Sequence, residues 1–587
     1  MRSEKPSHSA ETRTTHMSSH PKSQIPNPKS QIVNVGLRLA DTARRDPDGV
    51  AVVEPAGRDR AGKGQYRHVS FRELDEDSSR IAAGLLACGV KPGSRLVLLV
   101  PPGIDFVSLV FALFKAGMVT VLIDPGMGRR NLIRCLEEAE PDGLVAISVA
   151  QAVRTILRRR FRSAVHNVTV GRRWFWSGAT LRQLRRHSAT DFQPASTRAE
   201  DPAAIIFTTG STGPPKGVLY GHGNFAWQVD ELRELYGVQP GEKDLSGFPL
   251  FALFNAAMGV TAVIPEMDFT RPAQADPRKI VEAANDWQVT QAFGSPALWN
   301  VVGRYCEDND VRIPTLRRVT SAGAPVPPHV LRRMKQAIHP EGDIHTPYGA
   351  TEALPVASIS ATEVLSETAD RSQEGAGTCV GRRFPGITWK VIRIRDEAID
   401  RIEDVEELPQ GEIGELLVSG PVVTRRYVTR TDANPLHKIL DGDTVWHRMG
   451  DVGYLDEQDR FWFCGRKAHR LLTEDGPMYS VPCEAIFNRH KRVYRSALVG
   501  IGERGRQRPV LIVETWPEHR VSSPAEEQAL LAELRTLARN QASTRAIKDF
   551  LVHPSMPVDI RHNAKIFREK LAVWAQQQRG IASRGPS

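Results

Sequence analysis

From Val33 to about Cys464, short runs of β-branched and aliphatic residues alternate with amphipathic segments of helix length. No other feature constrains the fold as much. Strands buried on both faces read as unbroken apolar runs, and helix-length connections between them bring such strands side by side in parallel. An α/β architecture is therefore expected. Residues 71–86 and 104–116 carry the helical pattern, while residues 95–100 and 119–123 read as strands, the second ending at Asp124-Pro125. Ser70 precedes Phe71 with Glu73 three positions on, a capping box for a helix that packs through Leu74, Ile81 and Leu85.

At 587 residues the chain exceeds what one core holds, so at least two domains are expected. Residues 1–32, rich in Ser, Lys, Pro, His and Thr, repeat Pro-Lys-Ser-Gln-Ile at Pro21 and Pro28 and are expected to form a disordered tail. The stretch from Leu96 to Leu122 is interrupted by Pro101, Pro102, Asp105 and Lys115. It reads as buried strand, loop and helix, and no transmembrane segment is expected. The six cysteines form no C-x-x-C pair, which speaks against a zinc site or a disulfide framework and points to a reducing cytoplasm. Part of the net charge of +10 lies between Arg154 and Arg186. Solvated helix and loop faces are the expectation there, in preference to nucleic-acid binding, with peripheral contact to an anionic membrane or an acidic partner left open.

Directly after the apolar run Ala203 to Phe207 comes Thr208-Thr209-Gly210-Ser211-Thr212-Gly213-Pro214-Pro215-Lys216-Gly217. Small residues let backbone N–H groups approach phosphate oxygens, the hydroxyls add donors, and Lys216 adds a mobile positive charge. A nucleotide's phosphates are the ligand such a loop suits. It is not a Walker loop, which needs Gly-Lys-Ser/Thr where this chain has Pro215-Lys216-Gly217.

The loop resembles the phosphate-binding loop of the AMP-forming adenylating enzymes, which include acyl-CoA synthetases, nonribosomal peptide adenylation domains and luciferases. Further matches follow in the family's order: Ser321-Ala322-Gly323-Ala324-Pro325, Tyr348-Gly349-Ala350-Thr351-Glu352, Met449-Gly450-Asp451, Gly465-Arg466 and Asn563-Ala564-Lys565-Ile566. The resemblance implies a large multi-subdomain N-terminal adenylating domain, residues 33–464, and a small mobile α/β C-terminal domain, residues 465–587. It implies ATP and Mg²⁺ as cofactors. Gly323, Ala324 and Pro325 would line the adenine pocket, Tyr348 and Gly349 would pack on adenine, Asp451 would take the ribose hydroxyls, and Arg466 would contact ribose or phosphate. Thr351 would donate to the α-phosphate, Glu352 would hold Mg²⁺, and Lys565 would bridge the carboxylate and the α-phosphate. By residue type alone Thr351-Glu352 also suits a helix N-terminus, and Arg568 a surface or phosphate-proximal charge.

Where the family's acyl-pocket histidine or aromatic commonly follows Pro-Leu-Phe, this chain has Ala252 after Phe251. A roomier, greasy pocket is expected around Phe251, Ala252 and Phe254, with His222 and His345 as candidate members. His469 is a further candidate base but reads as structural. Gly465-Arg466 resembles the start of the family's interdomain hinge; after Arg466 the chain has Lys467-Ala468-His469-Arg470, with Ala468 in place of the usual pivot Asp or Lys, and without the usual Gly-rich turn beyond it. Together with Val481-Pro482-Cys483-Glu484 and Asp559-Ile560-Arg561-His562-Asn563-Ala564-Lys565-Ile566, these departures resemble the β-lactone synthetase branch of bacterial long-chain olefin biosynthesis. That branch implies ATP-dependent activation of a long-chain 2-alkyl-3-hydroxy acid and ring closure by its own hydroxyl, without CoA. It also implies a thiolase, a reductase and a lactone decarboxylase as neighbouring enzymes. A long-chain acyl-CoA or acyl-AMP ligase is the alternative enzyme reading, and a non-catalytic adenylate- or lipid-binding protein the alternative of another class.

Overall fold

The structure is a computed structural model and describes residues 32–208, 213–248, 251–558 and 566–580; the side chains of residues 125 and 251–253 also lie outside the description. All of the expected tail but Ile32 falls outside the described residues. Among those described, one sheet has 14 strands. Its parallel part runs Val50–Arg58, Thr261–Val263, Lys243–Ser246, Gln291–Gly294, Arg318–Ser321 and Asp343–Ala350, in that spatial order. From Ala353–Ser360 the sheet turns antiparallel and continues through Thr378–Arg383, Arg460–Arg466 and Thr444–Leu455.

A second, seven-stranded sheet is ordered Ala179–Thr180, His166–Val170, Gly143–Ile147, Arg95–Leu99, Val119–Leu122, Pro202–Phe207 and Gly217–Gly221, parallel up to the last strand. Helices fill the space between the sheets. The helix Ile104–Lys115 is buried at every residue but Asp105, as befits a helix between two layers, and shares one core with Val52 and Ala262 of the first sheet and Leu98 and Ala204 of the second. Its terminal Lys115 is buried, and Nζ donates to Asp75 Oδ1 at 2.6 Å, Ser78 Oγ at 2.8 Å, and Asp75 O and Ser79 Oγ at 2.9 Å. The stretch from Leu96 to Leu122 is thus strand, loop, helix and strand. No described helix is long and apolar enough to cross a membrane. The capping box forms as read, with Glu73 N donating to Ser70 Oγ at 3.2 Å and Ser70 N to Glu73 Oε2 at 2.8 Å.

Beyond Arg466 both sheet and core change. A three-stranded sheet, Val493–Ile501, Arg508–Thr515 and Asp549–Val552, packs with the helices Ser480–Asn488, Pro524–Arg539 and Arg568–Gln578 in clusters whose buried members all follow Arg470. Gly465 marks the junction. Its φ is +136°, and a Cβ there would lie 2.7 Å from Ser480 Oγ, so only glycine lets the two parts close up.

Candidate active site

The parallel strands Arg318–Ser321 and Asp343–Ala350 pair side by side from Arg318 and Asp343 onward, and the carboxyl end of each carries the start of a matched motif. Crevices outside the carboxyl ends of parallel strands are where open α/β sheets bind ligands. Gly323 takes a φ of +97° in the turn that carries Ala324 and Pro325. Thr351 and Glu352 occupy the tight turn between Asp343–Ala350 and Ala353–Ser360. They are therefore in a β-hairpin and not at a helix N-terminus. The hairpin is closed so tightly that a Cβ on Gly349 would sit 2.6 Å from Ala353 O.

Three tyrosine hydroxyls fix these motifs in place. Tyr348 donates to Asp451 Oδ2, Tyr427 to Glu352 Oε1 at 2.6 Å, and Tyr220 to the carbonyl of Thr351 at 2.6 Å. Thr424 adds two donors to the Glu352 carbonyl, N at 2.9 Å and Oγ1 at 3.0 Å. Behind Thr424 lies Lys438, fully enclosed, whose Nζ donates to Thr424 O at 2.5 Å; burial pushes its pKa down to about 7, against the pull of Glu352. Tyr220, Tyr427, Thr424 and Lys438 were not among the residues the sequence singled out. Buried tyrosines within apolar runs read as core, and only the hydroxyl partner reveals another use.

Asp451 and Arg466 face each other across adjacent strands, Oδ1 to Nη1 at 2.8 Å. Burial raises the Asp451 pKa while Arg466 opposes the rise, and Asp451 in turn raises that of Arg466. Burial, followed by the nearby Asp451 charge, holds the Tyr348 phenol well above its ordinary value. Although Arg466 lies 2.8 Å away, Asp451 Oδ1 accepts no hydrogen bond of good angle despite its burial, so lone-pair capacity remains there for a ligand that enters beside the arginine. Ribose hydroxyls are donors of the right kind. Asp451→Ala is expected to weaken ATP binding about 10–100-fold, the worth of hydrogen bonds to a charged acceptor, and calorimetric titration of the nucleotide checks it.

At the phosphate loop, Thr208 N donates to Lys216 O at 2.9 Å and Lys216 N to Thr208 Oγ1 at 3.0 Å, closing the neck of the loop. Lys216 Nζ lies 5.2 Å from the centroid of the Tyr427 ring, so it stands beside the partner of Glu352. Gly213 follows at the edge of the described part; Thr209, Gly210, Ser211, Thr212 and Lys565 lie outside the described residues. Arg568, expected at the surface or near phosphate, instead forms a two-pronged pair with Glu484 at 2.7 and 2.8 Å. Its neighbour Glu569 meets His469 Nε2 at 3.0 Å, which gives that histidine a structural use. Among the described residues no group of three or more His, Cys, Asp or Glu gathers to hold a metal. A Mg²⁺ at Glu352 would take its other ligands from phosphate and water, the usual arrangement for that ion.

A cavity partly open to solvent is lined by Thr320, Ala322 and Pro347 beside the nucleotide motifs and by Phe114, Tyr220, Phe225, Phe254, Met258 and Leu354, among others. Phe254 is where the sequence placed it; the side chains of Phe251 and Ala252 are not described. His222 and His345 do not line the cavity. Each stands behind one of its aromatic walls, His222 against Phe114 at 6.0 Å and His345 against Tyr236 at 4.9 Å, because bulky rings take the inner positions. Burial lowers the pKa of both, that of His222 to about 4.

Asp244 lines the same cavity from mid-strand, its Oδ2 accepting from Ser246 Oγ and Asn255 Nδ2, both at 2.7 Å. Burial lifts its pKa from 3.8 to about 6. The folded state then binds more protons than the unfolded state between those values, so stability falls as pH rises through that window. Asp244→Asn keeps both hydrogen bonds and cannot ionise. Its stability relative to the parent is expected to improve by roughly 2–3 kcal/mol between pH 4 and 6, read from thermal unfolding as a function of pH.

Comparison with known proteins places the chain in a family. A family model described as AMP-binding enzyme matches residues 39–428. An olefin beta-lactone synthetase of Xanthomonas campestris pv. campestris is 47% identical over 555 residues, 93% of this chain and 98% of that protein. A protein of the same name from Stenotrophomonas maltophilia is 46% identical over 554 residues, with the same coverage. Among solved structures, an amide bond synthetase from Marinactinospora thermotolerans superposes with a TM-score of 0.72 at 22% identity, over 92% of this chain and 99% of that one. The O-succinylbenzoate coenzyme A synthetase of Bacillus subtilis, in complex with ATP and magnesium ion, gives 0.69 at 19%, over 91% and 98%.

Proposed function

The chain belongs to the AMP-binding enzyme family, and on that premise we propose that it is an ATP-dependent ligase converting a long-chain 2-alkyl-3-hydroxy acid into a β-lactone. In the first step a carboxylate oxygen of the acid bonds to the α-phosphorus of ATP and the bond to pyrophosphate breaks. In the second, the substrate's own 3-hydroxyl oxygen bonds to the activated carboxyl carbon, its proton leaves to the AMP phosphate or to water, the bond to AMP breaks, and a four-membered ring closes. The observation that carries the reading is the apolar cavity opening at the strand ends that also bear the nucleotide motifs. The identity of nearly half to two olefin beta-lactone synthetases over almost the full chain supports it independently.

The residues divide the work by their chemistry. Asp451 and Arg466 hold the ribose; Gly323, Ala324, Pro325, Tyr348 and Gly349 form the adenine site; and the loop from Thr208 to Lys216 cradles the phosphates. Thr351 donates to the α-phosphate, and Lys565 bridges it to the carboxylate, offsetting the repulsion of two anions. Glu352 would hold Mg²⁺, which would supply positive charge against the phosphates. The cavity shields the alkyl chains and keeps water from the mixed anhydride.

The hinge supports a reaction without CoA. Lys467 Nζ lies 2.9 Å from the buried Glu415, and Asp396 is gripped by Arg470 at 2.9 Å and by Arg504 of the C-terminal part at 2.8 Å. We divide the domains at residue 465, and these pairs tie the two together in the present arrangement. An internal hydroxyl acceptor requires no second arrangement to admit a thiol. Purified protein given ATP, Mg²⁺ and the 2-alkyl-3-hydroxy acid is expected to release AMP and pyrophosphate at the same rate with and without CoA. Release of AMP only when CoA is present would overturn the reading in favour of an acyl-CoA ligase.

A further inference from the structure

The helix Ser148–Ile156 is built inside out. Its buried residue is Gln151, whose Nε2 donates to Leu144 O at 3.0 Å and Val168 O at 2.9 Å, bridging two strands of the seven-stranded sheet. Its apolar residues face solvent instead, with Val149, Val153 and Ile156 exposed by 62%, 45% and 76%. Spaced by four and three, they form one outward stripe. The loop after the neighbouring strand His166–Val170 lies against the start of this helix, where Ser148 Oγ donates to Arg172 O. That loop presents Trp174 and Phe175, both exposed, on the buried Trp176, whose Nε1 is anchored to Thr169 Oγ1 at 2.8 Å. Val165, exposed as well, precedes the same strand. One exposed aliphatic needs no explanation, but a set along a single sheet edge does.

Charge surrounds the stripe. Residues 143–190 include ten arginines and neither Asp nor Glu. Arg158, Arg159, Arg162 and Arg172 are exposed and have no carboxylate partner among the described residues. Arg160 reaches Glu137 only at 3.7 Å.

We infer that this edge docks on an anionic lipid bilayer, with the Val149, Val153, Ile156, Trp174 and Phe175 side chains at the headgroup–acyl boundary and the arginines on lipid phosphates. A nucleic acid would satisfy the arginines but offers little to a stripe of Val and Ile. A bilayer satisfies both, and burial of the aliphatic stripe adds to the electrostatic attraction. The inference is independent of the reaction proposed above.

The test is sedimentation with vesicles of phosphatidylcholine alone or mixed with phosphatidylglycerol, at low and high salt. The parent protein is expected to sediment with the mixed vesicles, less so at high salt. Arg158→Glu with Arg159→Glu should weaken that partition at least about 30-fold. Val153→Ser, Ile156→Ser and Phe175→Ser together should weaken it as well, and because all these positions are exposed, pyrophosphate release in the absence of vesicles should not change. Three results would overturn the inference: no partition onto anionic vesicles at low salt, an apolar triple variant that binds them like the parent, or a parent dimer in solution that the triple variant abolishes. The second marks a site for a polyanion such as nucleic acid, the third an interface with a second copy.

Discussion

Lys565→Ala is expected to reduce acyl-adenylate formation by at least about 10²–10³-fold while ATP still binds. The step brings a carboxylate onto a phosphate, and a cation aimed at both acts most strongly as the new bond forms. The lysine itself lies outside the described residues, but its borders are fixed. Ile566 bridges to Val558, Arg568 grips Glu484, and Glu569 meets His469 just past the hinge. That His469 contact ties the helix following Lys565 to the segment beyond Arg466, whose guanidinium faces Asp451. Exchange of labelled pyrophosphate into ATP, measured beside calorimetric ATP binding, separates chemistry from binding. Exchange at the parental rate would remove Lys565 from the role given to it.

Glu415→Ala is expected to cost about 3–5 kcal/mol of stability, because it strands a buried charge. Arg448 and Glu415 are both wholly enclosed and pair at 2.7 Å, and Lys467 joins the same carboxylate at 2.9 Å. Backbone carbonyls of Arg395, Glu397 and Leu436 satisfy the rest of the Arg448 guanidinium, so that side chain cannot swing out to water once its partner is gone. Replacing Glu415 and Arg448 together by methionine should cost much less, since the only ion left without its carboxylate is Lys467, which reaches solvent and keeps its bond to Arg395 O at 3.1 Å. Lys467 adjoins Arg466, which pairs with Asp451 at 2.8 Å, so the single substitution should also lower activity at temperatures below unfolding. Thermal unfolding of the parent and both variants decides the matter; equal losses for the single and double changes would contradict the charge argument.

Much of this architecture was legible in local sequence, and the reasons are local too. The Ser70–Glu73 box is satisfied within one helical turn, and the apolar runs around Leu96 and Val121 are strands because both their faces are covered. The neck of the phosphate loop joins Thr208 to Lys216, residues the motif already contained. What escaped depends on partners far along the chain. Tyr427 serves Glu352 across 75 residues, Tyr348 serves Asp451 across 103, and Arg504 reaches Asp396 across 108. The setting of Thr351 and Glu352 was ambiguous for a similar reason, since a hydroxyl–carboxylate pair suits a helix start as well as a turn, and strand pairing decides between them. The inverted helix at Gln151 misleads any reading by period, because its inward position is held by hydrogen bonds to two strand carbonyls, Leu144 O and Val168 O, and not by an apolar side chain.

The central claim is that the activated acid is captured by its own hydroxyl. Mass spectrometry of the organic product, after incubation with ATP, Mg²⁺ and a synthetic 2-alkyl-3-hydroxy fatty acid in the absence of CoA, tests it most directly. The account predicts a product lighter than the acid by one water, formed in step with AMP. Recovery of the unchanged acid, or a thioester that appears only when CoA is added, would contradict it.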